Sequence, residues 1–330
     1  MVDFRRYRIA RSPCDVIIAV TLGFLVIFCA VPAHAASKLV VAVLTCDASR
    51  YREAHRTFVK TLTSNGYDQG NLDIIVQSPN PDPISWANSV RKAVAIGADL
   101  IVTYGAPVTL AAMRETEDIP IVFVDVYGPV ETGVTRNMTI TGRNMTGVSS
   151  KVPMITLIKT ALEVKPIRNI GVIYNSREIG SLVQLKEIKR LATQRGFAVF
   201  DMNVSSVAGI DMALNALPPK VDYIFVSECA AGSKGFQKIV YRANEYKIPV
   251  ISLIPSAADR GALVALEINP AEQGESAGDS AVKIFSGKKI GQIPISTPKK
   301  IDLIVNLRAA KTLDLHIPFQ VLSVATKIMK

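Results

Sequence analysis

The chain has 330 residues, of which 49% are hydrophobic and 20% charged, with 38 basic against 28 acidic side chains for a formal charge of +10. That length exceeds one ordinary core and suits two lobes, and beyond the N-terminal segment nothing reads as a membrane span, a low-complexity tract or a disordered tail. The basic residues are scattered (Lys186, Lys189 and Arg190; Lys288 and Lys289; Lys299 and Lys300) without interleaved aromatics, so they read as solvated faces and no nucleic-acid partner is expected.

Chain order begins with an export signal. Arg5, Arg6, Arg8 and Arg11 form a basic segment, residues 16–31 an almost unbroken apolar run, and Ala33-His34-Ala35 a small-x-small cleavage site. The run is shorter than the roughly 20 residues of a bilayer span, so residues 1–35 are read as a cleaved signal peptide and the mature chain as periplasmic and soluble. Phe28 precedes Cys29 and Pro13 precedes Cys14, neither of them the small residue a lipid-anchor site needs, so no lipoprotein is expected. Cleavage removes those four arginines with Asp3 and Asp15, leaving 34 basic and 26 acidic side chains, a formal +8 that favours acidic partners only weakly.

From residue 39 a strand-loop-helix cadence runs twice. Residues 39–45 form a continuous β-rich apolar run, as a parallel strand buried on both faces requires. Ser49 is the expected cap of the next helix, in which Ala54, Phe58 and Leu62 recur every four residues before Gly66 ends it. Further strands are predicted at 72–77, 99–104 and 119–125, with helices at 84–96 and 107–115 between them. After a crossover at 145–150 the plan repeats: strands at 169–174, 197–201, 221–226, 249–253 and 262–268, and a helix over 178–194 closed by Gly196. The fold class is therefore α/β, two doubly wound parallel-sheet lobes with a ligand cleft between them. Pattern alone does not place the last 60 residues.

In such sheets ligands sit beyond the carboxyl ends of the strands, where neighbouring loops diverge. Those loops are 46–50, 105–109 and 125–129 in the first lobe and 175–180, 227–233 and 254–256 in the second. Asp47, Asp125, Glu178 and Glu228 are candidate acceptors for an ammonium group. Ser49, Thr109, Ser181 and the helix N-termini after Gly105 and Ser227 are candidate holders of a carboxylate. Tyr104, Tyr127 and Tyr174 offer flat surfaces, and Ala106, Asn175 and Ser256 complete the expected lining. For each of these residues taken singly, a helix cap, a dipole contact or plain core packing is the stronger reading.

Other chemistry is thin. The three histidines have no zinc spacing, and there is no Walker loop or GxGxxG fingerprint, so no metal or cofactor is expected. Gly274-Glu275-Ser276-Ala277-Gly278 matches a nucleophile elbow, with Asp302 and His316 following in hydrolase order, but a strand does not lead directly into it. Cys46 and Cys229 follow strands that end at the same cleft; separate packed thiols are expected, with a disulfide or a soft-metal pair as the alternative.

The phrases "FVKTLTSNGYDQGN" (58–71), "ADLIVTYGAPVTLAAM" (98–113), "IPIVFVDVYGPVETGV" (119–134), "NMTGVS" (144–149), "IGVIYN" (170–175) and "TPKKIDLIVNLRAAKTLDLHIP" (297–318) resemble, in matching order, the ABC transporter substrate-binding protein family that includes TrpX-type members. The resemblance implies a type I periplasmic-binding fold that closes by a hinge on a small-molecule solute, an amino acid or aromatic amino-acid-like compound, without catalysis. It also implies delivery to an ABC permease and its ATPase; presentation to a sensor is the alternative role. It assigns 36–148 with about 269–296 to lobe one and 149–268 with about 297–330 to lobe two. The chain departs from the family pattern at Gly128-Pro129 and at Ser227-Glu228-Cys229-Ala230, both in expected ligand loops. A monomer is the simplest reading for a diffusing carrier.

Overall fold

The structure, a computed structural model, describes residues 37–330 apart from 140, 142 and 218–220; the expected signal peptide lies outside the described residues. Strands β1 (Lys38–Leu44), β2 (Leu72–Gln77), β3 (Leu100–Tyr104), β4 (Ile121–Val126) and β5 (Met145–Ser149) form one parallel sheet in the order β2-β1-β3-β4-β5. Helices α1 (Ser49–Ser64), α2 (Pro83–Ala95) and α3 (Ala106–Glu115) cross between them. The aliphatic runs belong to strands covered on both faces: Val40, Ala42 and Tyr104 pack with Phe58 and Leu62 of α1, while Val41, Val43 and Ile101 pack with Trp86 and Val90 of α2. Asp82 starts α2 by accepting from Ser85 N at 2.9 Å, with Pro83 in the first turn where its missing N–H costs nothing.

A second sheet holds β6 (Asn169–Tyr174), β7 (Ala198–Asn203), β8 (Tyr223–Val226), β9 (Val250–Ser252), β10 (Val264–Ile268), β11 (Ile301–Asn306) and β12 (Lys327–Met329). Their order is β12-β11-β10-β9-β8-β6-β7, parallel except that β11 runs against β10. Helices α4 (Met154–Val164), α5 (Ile179–Arg195), α6 (Gly209–Ala216) and α7 (Ala230–Glu245) cover it, with α9 (Leu307–Thr312) and α10 (Phe319–Val324) near the end of the chain. Burying a side chain such as Phe225 or Phe236, both inaccessible, stabilises the fold by about 1.5–3 kcal/mol each.

One expectation changes and two features are added. Residues 145–149 are a fifth strand rather than a crossover, because Gly147 lets the chain lie tight against β4, where a Cβ would meet the Phe123 carbonyl at 2.1 Å. The last 60 residues, which pattern alone did not place, extend the second sheet past residue 268: segment 301–306 pairs with β10, and Thr326 N returns to the Leu303 carbonyl at 2.9 Å. The eight-residue helix α6 was not foreseen, since its cap position is Ala208, which has no capping side chain.

Helix α8 (Pro270–Phe285) leaves the second sheet and lies against α1, β4 and β5. Residues 293–296 then run beside β5, with Ser149 N bonded to the Ser296 carbonyl at 2.8 Å and Ser296 N to the Gly147 carbonyl at 2.9 Å.

Candidate functional site

The carboxyl ends of β1, β3 and β4 face those of β6 and β8, and the chemistry lies where their loops meet. The turn after β1 places Ala48, not Ser49, at the cap of α1: Ala48 N bonds the Cys46 carbonyl at 2.9 Å, and Ser49 is already in the first helical turn. Arg50 therefore points inward at the head of the Ala54-Phe58-Leu62 stripe, with only 10% of its side chain exposed.

Arg50 ties the two sheets together. Its Nε lies 3.3 Å from Asp125, at the end of β4, and Nη1 pairs with Glu228, which follows β8. Nη2 donates to the Tyr51 hydroxyl at 2.9 Å. Gln184 of α5 fixes Glu228 from the other side, donating from Nε2 at 2.6 Å and accepting the Glu228 backbone N–H at 2.9 Å. Glu178, at the cap of α5, does not cap its own helix. It turns to α7, where it accepts the Ala230 N–H at 3.0 and 3.1 Å, and Asn175 holds it from Nδ2 at 2.8 Å. A second bond between the sheets runs from the Tyr127 hydroxyl to Glu187 of α5, at 2.8 Å.

The geometry has a backbone cost. Asp125 has φ +56° beside a register shift in β4, a left-handed conformation that Asp tolerates better than most residues and that is concentrated at functional sites. Gly105 has φ +92°, and a Cβ there would stand 2.5 Å from the Tyr51 hydroxyl, so only glycine admits that ring. Three buried carboxylates face one guanidinium. Burial pushes Asp125 and Glu178 upward, and it takes Glu228 up to about 7, with Arg50 opposing that rise and Asp125 adding to it.

Arg50 divides the cleft into two cavities. The inner one, about 20 Å³, is lined by Gly105, Ala106, Asp125, Tyr127, Glu178 and Glu228 among others, and has room for little more than a water molecule. The one at the mouth is about 130 Å³, and Asp47 and Ser49 line it. Nine of the expected residues, Ser181 among them, thus lie on the two cavities.

The other six do not: Tyr174, at the end of β6, packs against the core of the second sheet. Tyr104 is fully buried with its hydroxyl on His55 Nδ1 at 2.9 Å, and Thr109 turns back to the Gly105 carbonyl and the Thr103 hydroxyl, both at 2.8 Å. Asn175 orients Glu178, and Ser227 shares a 2.6 Å bond with Ser181, itself on the inner cavity. Ser256 is set aside by φ +60°, its N–H donating to Glu267 at 2.8 Å. Sequence reasoning missed Arg50, Tyr51 and Gln184 inside and Arg52, Lys234 and Arg260 at the mouth.

Cys46 and Cys229 are free, buried thiols, each pushed up to about 12 chiefly by burial; Cys229 accepts the Gly232 N–H at 3.3 Å as the cap of α7. Ser276 is no nucleophile elbow. It lies within α8, and the glycines of its pattern serve helix packing: a Cβ at Gly274 would stand 2.0 Å from the Ala54 carbonyl, and one at Gly278 2.6 Å from Thr61 Cβ. Among the described residues no helix is long and apolar enough to cross a membrane.

Two parallel-sheet halves of one plan, meeting over a charged cleft, define a type I periplasmic-binding fold, the architecture of two-lobed solute clamps. Residues 38–329 match the model of the ABC transporter substrate binding protein family, and the chain belongs to that family. It is 29% identical to the tyrosine-binding protein of Clostridioides difficile (strain R20291) over 266 residues, 80% of this chain and 77% of that one. A conserved domain protein from Vibrio cholerae O1 biovar El Tor superposes with a TM-score of 0.84 at 26% identity, covering 88% and 99% of the two chains. An ABC domain from Streptococcus pneumoniae in complex with L-Trp gives 0.83 at 23% identity, covering 89% and 100%. A ligand-free, open substrate-binding protein from Clostridium difficile gives 0.66 at 28%, covering 89% and 99%. This chain is thus an extracytoplasmic solute-binding component of an ABC transporter.

Proposed function

We propose that the mature protein, cleaved after Ala35 and not lipidated, is a monomeric periplasmic carrier that captures a small amino-acid-like solute by hinge closure and hands it to an ABC permease. One lobe comprises residues 36–148 with about 269–296, the other 149–268 with about 297–330. The observation that carries this reading is the pairing of Arg50 and Asp125, on one sheet, with Glu228 on the other. A charged centre completed only when both halves meet gives a ligand that touches both halves a preference for the closed form.

Two further observations support it. The structure superposes with a TM-score of 0.83 on the protein in complex with L-Trp and of 0.66 on the ligand-free, open one, which supports a closed arrangement. The inner carboxylates outnumber the guanidinium, which favours an ammonium-bearing solute, and the relatives named for tyrosine and complexed with L-Trp point to the same class. In this reading Asp125, Glu178 and Glu228 take the ammonium, with Gly105, Ala106 and Tyr127 closing round it.

Native mass spectrometry of the gently purified mature protein tests this. A co-purified mass matching an amino acid, lost in Asp125→Ala, is the expected result. A bound species without an amine would overturn the ligand class.

A further inference from the structure

The cavity at the cleft mouth differs in charge from the inner one. Arg52, Lys234 and Arg260 line it against a single carboxylate, Asp47, which is already paired with Arg52. Lys234 is exposed and has no ion pair among the described residues. Arg260 is oriented without being neutralised. Its guanidinium donates to the carbonyls of Ser233 at 2.9 Å, Pro255 at 3.3 Å and Ser256 at 3.3 Å, and it stacks over Phe236 at 4.6 Å. No carboxylate lies within ion-pairing distance of it among the described residues; Glu267 and Asp259 act on it only from further off. Two cations without ion-pair partners among the described residues, the oriented Arg260 and the exposed Lys234, therefore face the same cavity from the second sheet, opposite Ser49 on the first. The first turns of the 16-residue helices α1 and α7 add their N-terminal dipoles on the same sides.

We propose that this mouth cavity is an anion subsite that receives the carboxylate of a compact solute, held between Lys234 and Arg260 on one lobe and the first turn of α1 on the other. The inference rests on the solute-binding reading and narrows its ligand. Size narrows it further: a cavity of roughly 150 Å³ holds a benzene-sized molecule, so about 130 Å³ beside a filled inner chamber suits a small aliphatic carboxylate and leaves no room for a phenol or indole ring in addition. Arg50, which fills the space between the two cavities, is the residue that sets this limit.

Isothermal titration of the mature protein at low ionic strength, with glycine, L-alanine, L-aspartate, succinate, L-alaninamide, L-tyrosine and L-tryptophan as probes, tests the subsite. The expected result is binding of one or more compact carboxylates, weakened by salt, with L-alaninamide at least about tenfold weaker than L-alanine. Lys234→Gln should weaken binding of the same probe by roughly tenfold; because Lys234 is exposed, this variant stays informative even where Arg260→Gln fails to fold. Equal affinity for L-alaninamide and L-alanine, tight aromatic binding indifferent to Lys234→Gln, or no carboxylate binding at all would each overturn the subsite. The solute-binding reading would still stand or fall on the co-purified mass.

Discussion

Replacing Arg50 with leucine removes the only cation that, among the described residues, directly contacts two buried carboxylates on opposite sheets. Asp125 and Glu228 expose only 7% and 6% of their side chains, so neither recovers its lost partner from solvent while the cleft stays shut. Breaking such a pair on one side costs about 3–5 kcal/mol, against about 0–1 kcal/mol for an exposed pair such as Lys238 with Asp211. Here the strain has an exit, since opening the lobes rehydrates Glu228. The cost should therefore fall on the closed form, lowering the closed-to-open ratio by roughly 10²- to 10⁴-fold. Energy transfer between dyes at Ser64→Cys and Arg195→Cys, both exposed, reads lobe separation directly, with Lys238→Met as the control that leaves it unchanged. Adding Glu228→Gln to Arg50→Leu should restore part of the closed population by removing the stranded charge. Unchanged transfer in Arg50→Leu, with its urea midpoint also unchanged, would refute the view that this cation holds the cleft together.

Asp125→Ala should weaken solute binding at least about tenfold, because it removes a buried carboxylate from the cleft, while leaving the far-ultraviolet circular dichroism spectrum intact; an unchanged Kd would remove Asp125 from the site. The Glu228 carboxyl rises from an ordinary 4.5 to about 7 in the closed form, so the closed form holds that proton more tightly than an open one. Closure should accordingly be favoured at acidic pH and weaken as pH climbs through about 7, and Glu228→Gln should flatten that slope in the same energy-transfer assay. Gly278→Ala should destabilise the fold by about 1–3 kcal/mol in urea melts, because its Cβ would press on Thr61 and the Phe58 carbonyl; a neutral result would mean that α1 and α8 separate easily.

Much of this was legible in the chain because buried parallel strands leave plain runs of apolar residues, and strand ends locate ligand loops. Asp125, Glu178 and Glu228 were found by that logic alone. Arg50 was missed, yet it carried a signal: it stands four residues before Ala54, so it continues the inward stripe Ala54-Phe58-Leu62 as a charge at its head. Tyr104 and Thr109 misled because lying near the end of a strand does not settle which way a side chain turns. Tyr104 went under α1 to His55, and Thr109 bent back on the helix turn that Gly105 begins. The glycines at 274 and 278 mimicked a hydrolase motif because helix packing and a nucleophile elbow both need residues without side chains, and local sequence does not distinguish the two needs.

The contact of α8 with α1 bears on how the chain acquires its shape. More than 200 residues separate the two helices, and Gly274 and Gly278 seat on α1 against Ala54, Phe58 and Thr61. As the polypeptide emerges from its N-terminus, the first sheet can assemble its strands early, but α1 keeps an uncovered apolar face until residue 285 has appeared. Closing so long a loop is slow, and the early sheet is exposed to misassociation while it waits. The second sheet, with β6 to β10 contiguous in sequence, has no comparable wait before its central strands pair. Folding should therefore be led by the second half of the molecule, with the first half maturing around a helix delivered late.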